Sequence, residues 1–313
     1  MLGSVSLFIA LIWLISTMGV TDYTALNYSL LNYNNYNTAW LLLGLGLAIK
    51  VPSVPLHIWL TRAHVEANVS TSVVLAAVIL KLSTYGTIVF LLLILPYGSA
   101  YYSSLWLLLG LISFIHASLS TLSQIDSKVL IAYSSVAHMS IITIGLHSNH
   151  YIGIIGALLL AVAHASSSSA LFIIFGQVLY DRLHTRVLYY IRNITSYSPS
   201  LRTTLLFAIV SNAGTPSTLN WVAEWYALLG IAHSNLLVSV LLASTVLLTA
   251  SYSFWLYSYT TSQIGGAASY VLYDLTNIEQ SNLLYLLVPN ILLGLNVWLI
   301  ESYLINGSIA LMY

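Results

Sequence analysis

Three ionisable side chains sit inside apolar runs of this sequence. Lys50 lies in LAIKVPSVPLHIWL (residues 47–60), Lys81 about halfway along LAAVILKLSTYGTIVFLLL, and Glu224 in SNAGTPSTLNWVAEW. Only 5% of the 313 residues are charged. A charge at the centre of a bilayer costs about 2.5–3.5 kcal/mol, so such residues face a protein interior or a water cavity and mark function. The bland alternative is snorkelling, in which a long side chain reaches the interface from a helix end. Mid-run placement argues against it for Lys81, less so for Lys50. A lysine or glutamate in a moist channel can gain or shed H⁺ as a neighbouring charge moves. That is the chemistry of a proton relay.

Histidines extend the constellation. His138 lies in IAYSSVAHMS and His164 in LLLAVAHASSSSALF, both in apolar runs. His57 and His64 are seven residues apart, two turns along one face of a continuing helix, and are secondary relay candidates. Histidine is readily tuned near neutral pH and recurs in relays with acids. A neutral histidine bonded to a backbone carbonyl in the core is the competing reading for each. His116 and His233 have no polar company in the sequence and read as packing residues. Asp126 in SQIDSKVL reads as a helix N-cap. Ser166–Ser169 suit close helix packing or water beside His164. No His-x-x-x-His pair occurs and Glu66 is near a helix end, which argues against a metal site.

These groups must be positioned by membrane helices. The chain is 59% hydrophobic with a mean hydropathy of +0.90, whereas soluble domains are about 45–50% apolar and about 25% charged. Zero net charge and the lack of a basic tract argue against nucleic acid. No cysteine is present, which excludes disulfides, thiolate-ligated clusters and a cysteine nucleophile. The first apolar segment lacks a basic n-region and reads as a retained helix. The reading is an all-α polytopic membrane protein, residues 1–313 forming a single transmembrane domain. About nine segments qualify as spans, near 3–20, 38–60, 68–95, 104–122, 129–147, 153–180, 203–229, 236–259 and 283–303. Two of them carry helix breakers, Pro52 with Pro55 and Gly214 with Pro216, and read as broken helices. The loop at 21–37 reads as interfacial, 260–282 is the other long loop, and Asn27-Tyr-Ser and Asn193-Ile-Thr are weak glycosylation matches.

Six of the eight basic residues, Arg62, Lys128, Arg182, Arg186, Arg192 and Arg202, fall in loops that close even-numbered spans. That asymmetry places the N-terminus and those loops on the cytoplasm-like side and the C-terminus opposite.

The blocks LAIKVPSVPLHIWLTRAHVEANVSTSVVLAAVILKLSTYG, IDSKVLIAYSSVAHMS, ALLLAVAHASSSSALF with LYDRLHTR, and GTPSTLNWVAEW occur in this order over residues 40–230. They resemble the subunit-4 family of mitochondrial NADH:ubiquinone oxidoreductase (respiratory complex I), with RAHVEA separating it from its antiporter-like sisters. The resemblance implies an antiporter-like fold and a proton-pumping subunit of a translocase in the inner mitochondrial membrane, basic loops towards the matrix and C-terminus towards the intermembrane space. It implies that Lys50 is the lysine of the first broken helix, Lys81 the central lysine, His138 and His164 the connecting histidines, and Glu224 the terminal acid. It implies other membrane-arm subunits as partners, with lipids. It implies no redox centre here, the complex using NADH, FMN, iron–sulfur clusters and ubiquinone elsewhere.

Family members begin with further spans, including a glutamate that partners the lysine at Lys50. No glutamate of this chain fills that place. The expectation is a chain equivalent to the C-terminal two-thirds of the subunit, with a separate N-terminal fragment supplying those helices and the acid. Asn68 stands where the family has proline, and Ser83 and Thr84 where it often has glycines. A subunit of a multisubunit cation/proton antiporter of the same fold is the main alternative. A structural protein whose buried charges merely pair is a third.

Overall fold

The structure, a computed structural model, describes residues 1–19, 21–22, 37–192, 194, 198–262 and 273–310. Residues 23–36 and 263–272 of the two long loops lie outside the described residues, as do Asn27-Tyr-Ser and the Asn193 and Thr195 of the second glycosylation match.

Long apolar runs without turn residues wind into helices, because lipid offers nothing to an open backbone. In chain order these are α1 (Leu2–Met18), α2 (Asn37–Lys50), α3 (Ile58–Glu66), α4 (Val69–Ile94), α5 (Pro96–Tyr101), α6 (Ser103–Ser123), α7 (Ser127–Leu146), α8 (Tyr151–Leu183), α9 (Pro199–Asn212), α10 (Leu219–Ser234), α11 (Leu236–Thr261), α12 (Asn277–Leu295) and α13 (Trp298–Ala310). Among the described residues, the one β-pairing is an isolated bridge between Asp126 and Val187. Six of these helices, α4, α6, α7, α8, α11 and α12, are long and apolar enough to cross a membrane.

The remaining expected spans differ. Segment 38–60 is divided into α2 and α3, and 203–229 into α9 and α10, at the prolines and glycine that cannot continue a helix. Segment 283–303 is divided between α12 and α13, which Asn296 and Val297 separate, Asn296 with a non-helical backbone (φ −124°, ψ 50°). The interrupted backbone finds partners inside the protein. At the first gap Ser53 N and Oγ both donate to Ala48 O (3.1 and 3.0 Å). Trp59 Nε1 donates to Ile49 O (2.7 Å), and Val54 N donates to Ser113 Oγ on α6 (2.8 Å). At the second gap Thr215 N and Oγ1 both reach Val210 O (3.4 and 3.2 Å), and Thr218 Oγ1 caps α10.

α7 is enclosed on nearly every side and packs between α6 and α8. α8 packs most extensively on α10, nearly backbone to backbone. A Cβ at Gly156 would stand 2.5 Å from Ala227 N, and one at Gly230 would stand 2.3 Å from Gly153 Cα. Small residues permit such approach between helices.

Two basic residues meet at the C-terminus of α3. Lys128, read from the sequence as a loop residue, is instead the second residue of α7 and 2% exposed. Its Nζ donates to Ala67 O (3.1 Å), and Arg186 Nη1 donates to Val65 O (2.9 Å). Both cations thus satisfy carbonyls at the C-terminus of α3, where the helix dipole favours positive charge. Nearby, Arg182 pairs with Glu279 of α12 at 2.9 Å.

Candidate functional site

Lys81 follows a wide-turn stretch of α4, Leu75–Ile79, in which the hydrogen bonds skip a residue. Its ammonium folds back to donate to Ala76 O at 2.7 Å. On its other side Nζ lies 2.7 Å from His164 Nδ1, a hydrogen bond between amine and imidazole. α8 carries His164, fully buried, and Ser168 Oγ donates to the His164 carbonyl (2.5 Å). The unpartnered hydroxyl of buried Ser167 lies one turn along the same face. The His164 ring stands 5.5 Å from that of His138 on α7, centroid to centroid. His138 Nδ1 in turn lies 3.4 Å from Glu224 Oε1, close enough to pair but outside hydrogen-bond alignment.

The order along this buried line is Lys81, His164, His138, Glu224, carried by α4, α8, α7 and α10. The last step is short because α7 packs directly on α10. Glu224 is 3% exposed and rests on the turn before α10. Gly214 there has φ +63°, and a Cβ on it would come 2.7 Å from Glu224 Oε2. Glycine is thus required twice, for the left-handed backbone and for the room the carboxylate fills.

The other sequence candidates lie apart from this line. Lys50 ends α2 and is exposed on the outside of the chain. It borders an apolar groove of about 370 Å³ with Leu7, Leu47, Trp59, Leu82 and Phe90. Among the described residues no hydrogen bond or ion pair engages it. His57, 5% exposed, meets the ring of His116 at 5.3 Å and of Tyr133 at 5.8 Å. His64 is fully buried, stacks on Phe172 at 4.5 Å, and leaves both ring nitrogens without a partner. It lies within electrostatic reach of both Lys128 and His164. The expectation that His116 and His233 have no polar company is corrected: His116 faces His57, and His233 stacks on His150 at 4.3 Å. Folding brings those rings together from distant segments, which no local sequence window displays. Asp126 caps α7 as read, accepting from Lys128 N at 2.9 Å.

Sequence reasoning missed the neutral polar residues of the site. Asn290, 2% exposed on α12, donates to Ala163 O (3.1 Å), Ser166 Oγ (2.9 Å) and Asn220 Oδ1 (3.2 Å), and accepts from Leu219 N (3.1 Å). Tyr252 of α11 lies within electrostatic reach of Glu224 and beside Asn212, whose Nδ2 donates to Ser253 Oγ (3.2 Å). The available signal was an amide inside an apolar run, as in LLVPNILLGL. Among the described residues, no three His, Asp or Glu side chains group as a metal ion requires.

An all-helical membrane bundle with charged and imidazole groups in file through its interior defines the class. Residues 1–249 match the model of the NADH:quinone oxidoreductase/Mrp antiporter transmembrane family, and the chain belongs to that family. It is 40% identical over 295 residues to NADH-ubiquinone oxidoreductase chain 4 of Mycosarcoma maydis, covering 94% of this chain and 60% of the relative. It is 41% identical to the Metridium senile protein of that name (87% and 55%) and 33% identical to the Yarrowia lipolytica one (96% and 64%). The chain thus spans somewhat under two-thirds of the length of these relatives. In fold it is similar to a chain of respiratory complex I from Thermus thermophilus (TM-score 0.89, 24% identity, covering 99% of this chain and 67% of that one). It is equally similar to a chain of the Mrp complex from Dietzia (TM-score 0.88, 17% identity, 99% and 66%).

Proposed function

We propose that this chain moves protons across the inner mitochondrial membrane as a membrane-arm subunit of NADH:ubiquinone oxidoreductase. The observation that carries the reading is the buried file Lys81–His164–His138–Glu224, in which each group lies next to another that can exchange H⁺. The printed names of its relatives support the choice of complex. Electron transfer through NADH, FMN, iron–sulfur clusters and ubiquinone takes place in other subunits, and charge movement reaches this chain from outside. Each proton carried across works against about 2.3 kcal/mol per 100 mV.

In this reading residues 1–313 are one transmembrane domain of about nine spans. α2 with α3, and α9 with α10, each cross as one interrupted helix. The gap residues bond inward rather than to lipid, as such crossings require. The basic end faces the matrix and the C-terminus the intermembrane space. Lys50 receives charge from a neighbouring polypeptide that brings a carboxylate to its groove, with other membrane-arm subunits and lipid covering the exposed apolar faces. His57 and His64 are side branches of the relay.

The test is Lys81→Ala and, separately, Glu224→Gln in the assembled complex, reading protons moved per electron pair. Both are expected to lose coupled pumping by about 10²-fold, the scale of a lost proton-transfer group, with assembly intact. Normal stoichiometry in either variant contradicts the relay. A cation/proton antiporter subunit is the second reading, favoured by the likeness in fold to the Mrp chain. Proton movement driven by a sodium gradient with no dependence on quinone reduction selects it.

A further inference from the structure

Two imidazoles close one end of the helix pair that carries His164 and Glu224. His150 is the N-cap of α8, and its Nδ1 accepts from Ile152 N at 3.3 Å. His233 lies in the last turn of α10. The two rings stack at 4.3 Å between centroids and 7° between planes. Planes this nearly parallel aim their nitrogen lone pairs side by side, so the pair does not converge on a metal ion. One turn inward on each helix lies the glycine contact of α8 with α10, where a Cβ at Gly230 would stand 2.3 Å from Gly153 Cα. An Nδ1 that accepts an amide hydrogen carries no proton, so this cap exists only while His150 is neutral. A proton added there acts in three ways. It takes the acceptor from the Ile152 amide. It places a cation at a helix N-terminus, the positive end of the dipole. It sets that cation against a second histidine, itself able to carry charge. The other titratable groups nearby are Tyr151, with its ring 4.7 Å from that of His150, and His147, the buried C-cap of α7, stacked on Trp106 at 4.6 Å. Among the described residues, no carboxylate pairs with His147, His150 or His233.

We infer that the His150–His233 stack is an acid-sensitive latch, which holds the N-terminus of α8 against the C-terminus of α10 while His150 is neutral and loosens both helices when His150 takes a proton from the aqueous phase. The inference rests on the proposed orientation, in which the α7–α8 loop and the end of α10 lie opposite the basic loops, on the side that receives protons. Acid gathering there opens the latch and slows further delivery. The sign follows from the surroundings of His150. Burial, and then His233, hold its pKa below the ordinary histidine value of about 6.5. The closed form therefore binds fewer protons than the open one. Opening grows as pH falls below about 6.5, by up to about tenfold per unit until the lower closed-state value is reached.

The test uses the assembled membrane complex. Amide hydrogen exchange over residues 148–156 and 228–234, corrected for the intrinsic effect of pH, is expected to quicken by up to about tenfold between about pH 6.5 and 5.5. His150→Asn keeps an N-cap that cannot titrate, and is expected to pump like the wild type near neutral pH and to show no acid response. His233→Phe keeps a stacked ring without a second charge, and is expected to show a smaller response than the wild type. No response in the wild type, or an equal one in His150→Asn, overturns the latch. Should His150→Asn fail to assemble, an equal response in His233→Phe and the wild type overturns it instead. In sealed vesicles, acid on the side opposite the basic loops is expected to slow pumping by the wild type more than by His150→Asn. Equal slowing of the two from either side overturns the inference that the latch governs delivery. A difference that appears only with acid on the basic side removes the proposed orientation and leaves the latch supported.

Discussion

Lys81 Nζ lies 2.7 Å from His164 Nδ1, and a single Ala76 carbonyl holds it from the other side. Contacts this local depend on single atoms, so single substitutions probe them. The same holds outside the membrane spans at Asp274, whose carboxylate caps the N-terminus of α9. Burial alone would raise its pKa. Hydrogen bonds from the Ser200 hydroxyl and amide and from the Leu275 and Leu201 amides outweigh that and bring it below the usual carboxylate value. A carboxyl held low when folded stabilises above its unfolded pKa, about 3.9, and loses that contribution as pH falls through the lower folded value. Asp274→Asn cannot titrate. Thermal unfolding followed by tryptophan fluorescence is expected to show the wild type losing its advantage over this variant below about pH 4. Parallel profiles down to pH 2 would show that the cap contributes nothing.

At the scale of elements, the turn between α9 and α10 determines where Glu224 sits. Gly214 has a left-handed backbone and its missing side chain is the space Glu224 Oε2 fills. Gly214→Ala is therefore expected to cost about 1–2 kcal/mol in backbone strain and to displace the carboxylate from His138. The measurement is proton pumping per electron pair beside complex assembly. A loss of pumping without loss of assembly is expected, whereas unchanged pumping would mean that the turn does not set the carboxylate. The α2–α3 gap differs in kind. Its prolines open the helix, but Ser53, Ser113 and Trp59 close the freed backbone again.

The whole molecule is tied together by contacts between helices distant in sequence. Asn290 of α12 bonds to Ala163 and Ser166 of α8 and to the first two residues of α10 at once. This clasp and the glycine contact between α8 and α10 hold His164 and Glu224 in register from opposite sides. Asn290→Leu leaves Leu219 N and Asn220 Oδ1 buried without this partner, at about 1–3 kcal/mol for each unpaired group. The purified complex carrying it is expected to dissociate or unfold several degrees lower than the wild type. An unchanged midpoint would show that neighbouring helices alone fix the arrangement.

The sequence by itself determined the solvent, the helical class and the charged members of the site. A lysine or glutamate in an apolar run is costly enough to show without any fold, so Lys81 and Glu224 stand out, as do the proline and glycine positions where helices stop. Lys128 shows the limit: its charge was plain, but only the packed C-terminus of α3 reveals that it is buried. Tertiary structure alone decided which groups meet. It put His164 between Lys81 and His138, turned Lys50 to the outside, paired His57 with His116, and drew Asn212, Tyr252 and Asn290 into the interior. Neutral amides, phenols and imidazoles are cheap in a helix and ordinary in composition. Their meaning lies in the distance to partners tens of residues away, and that distance is set by packing.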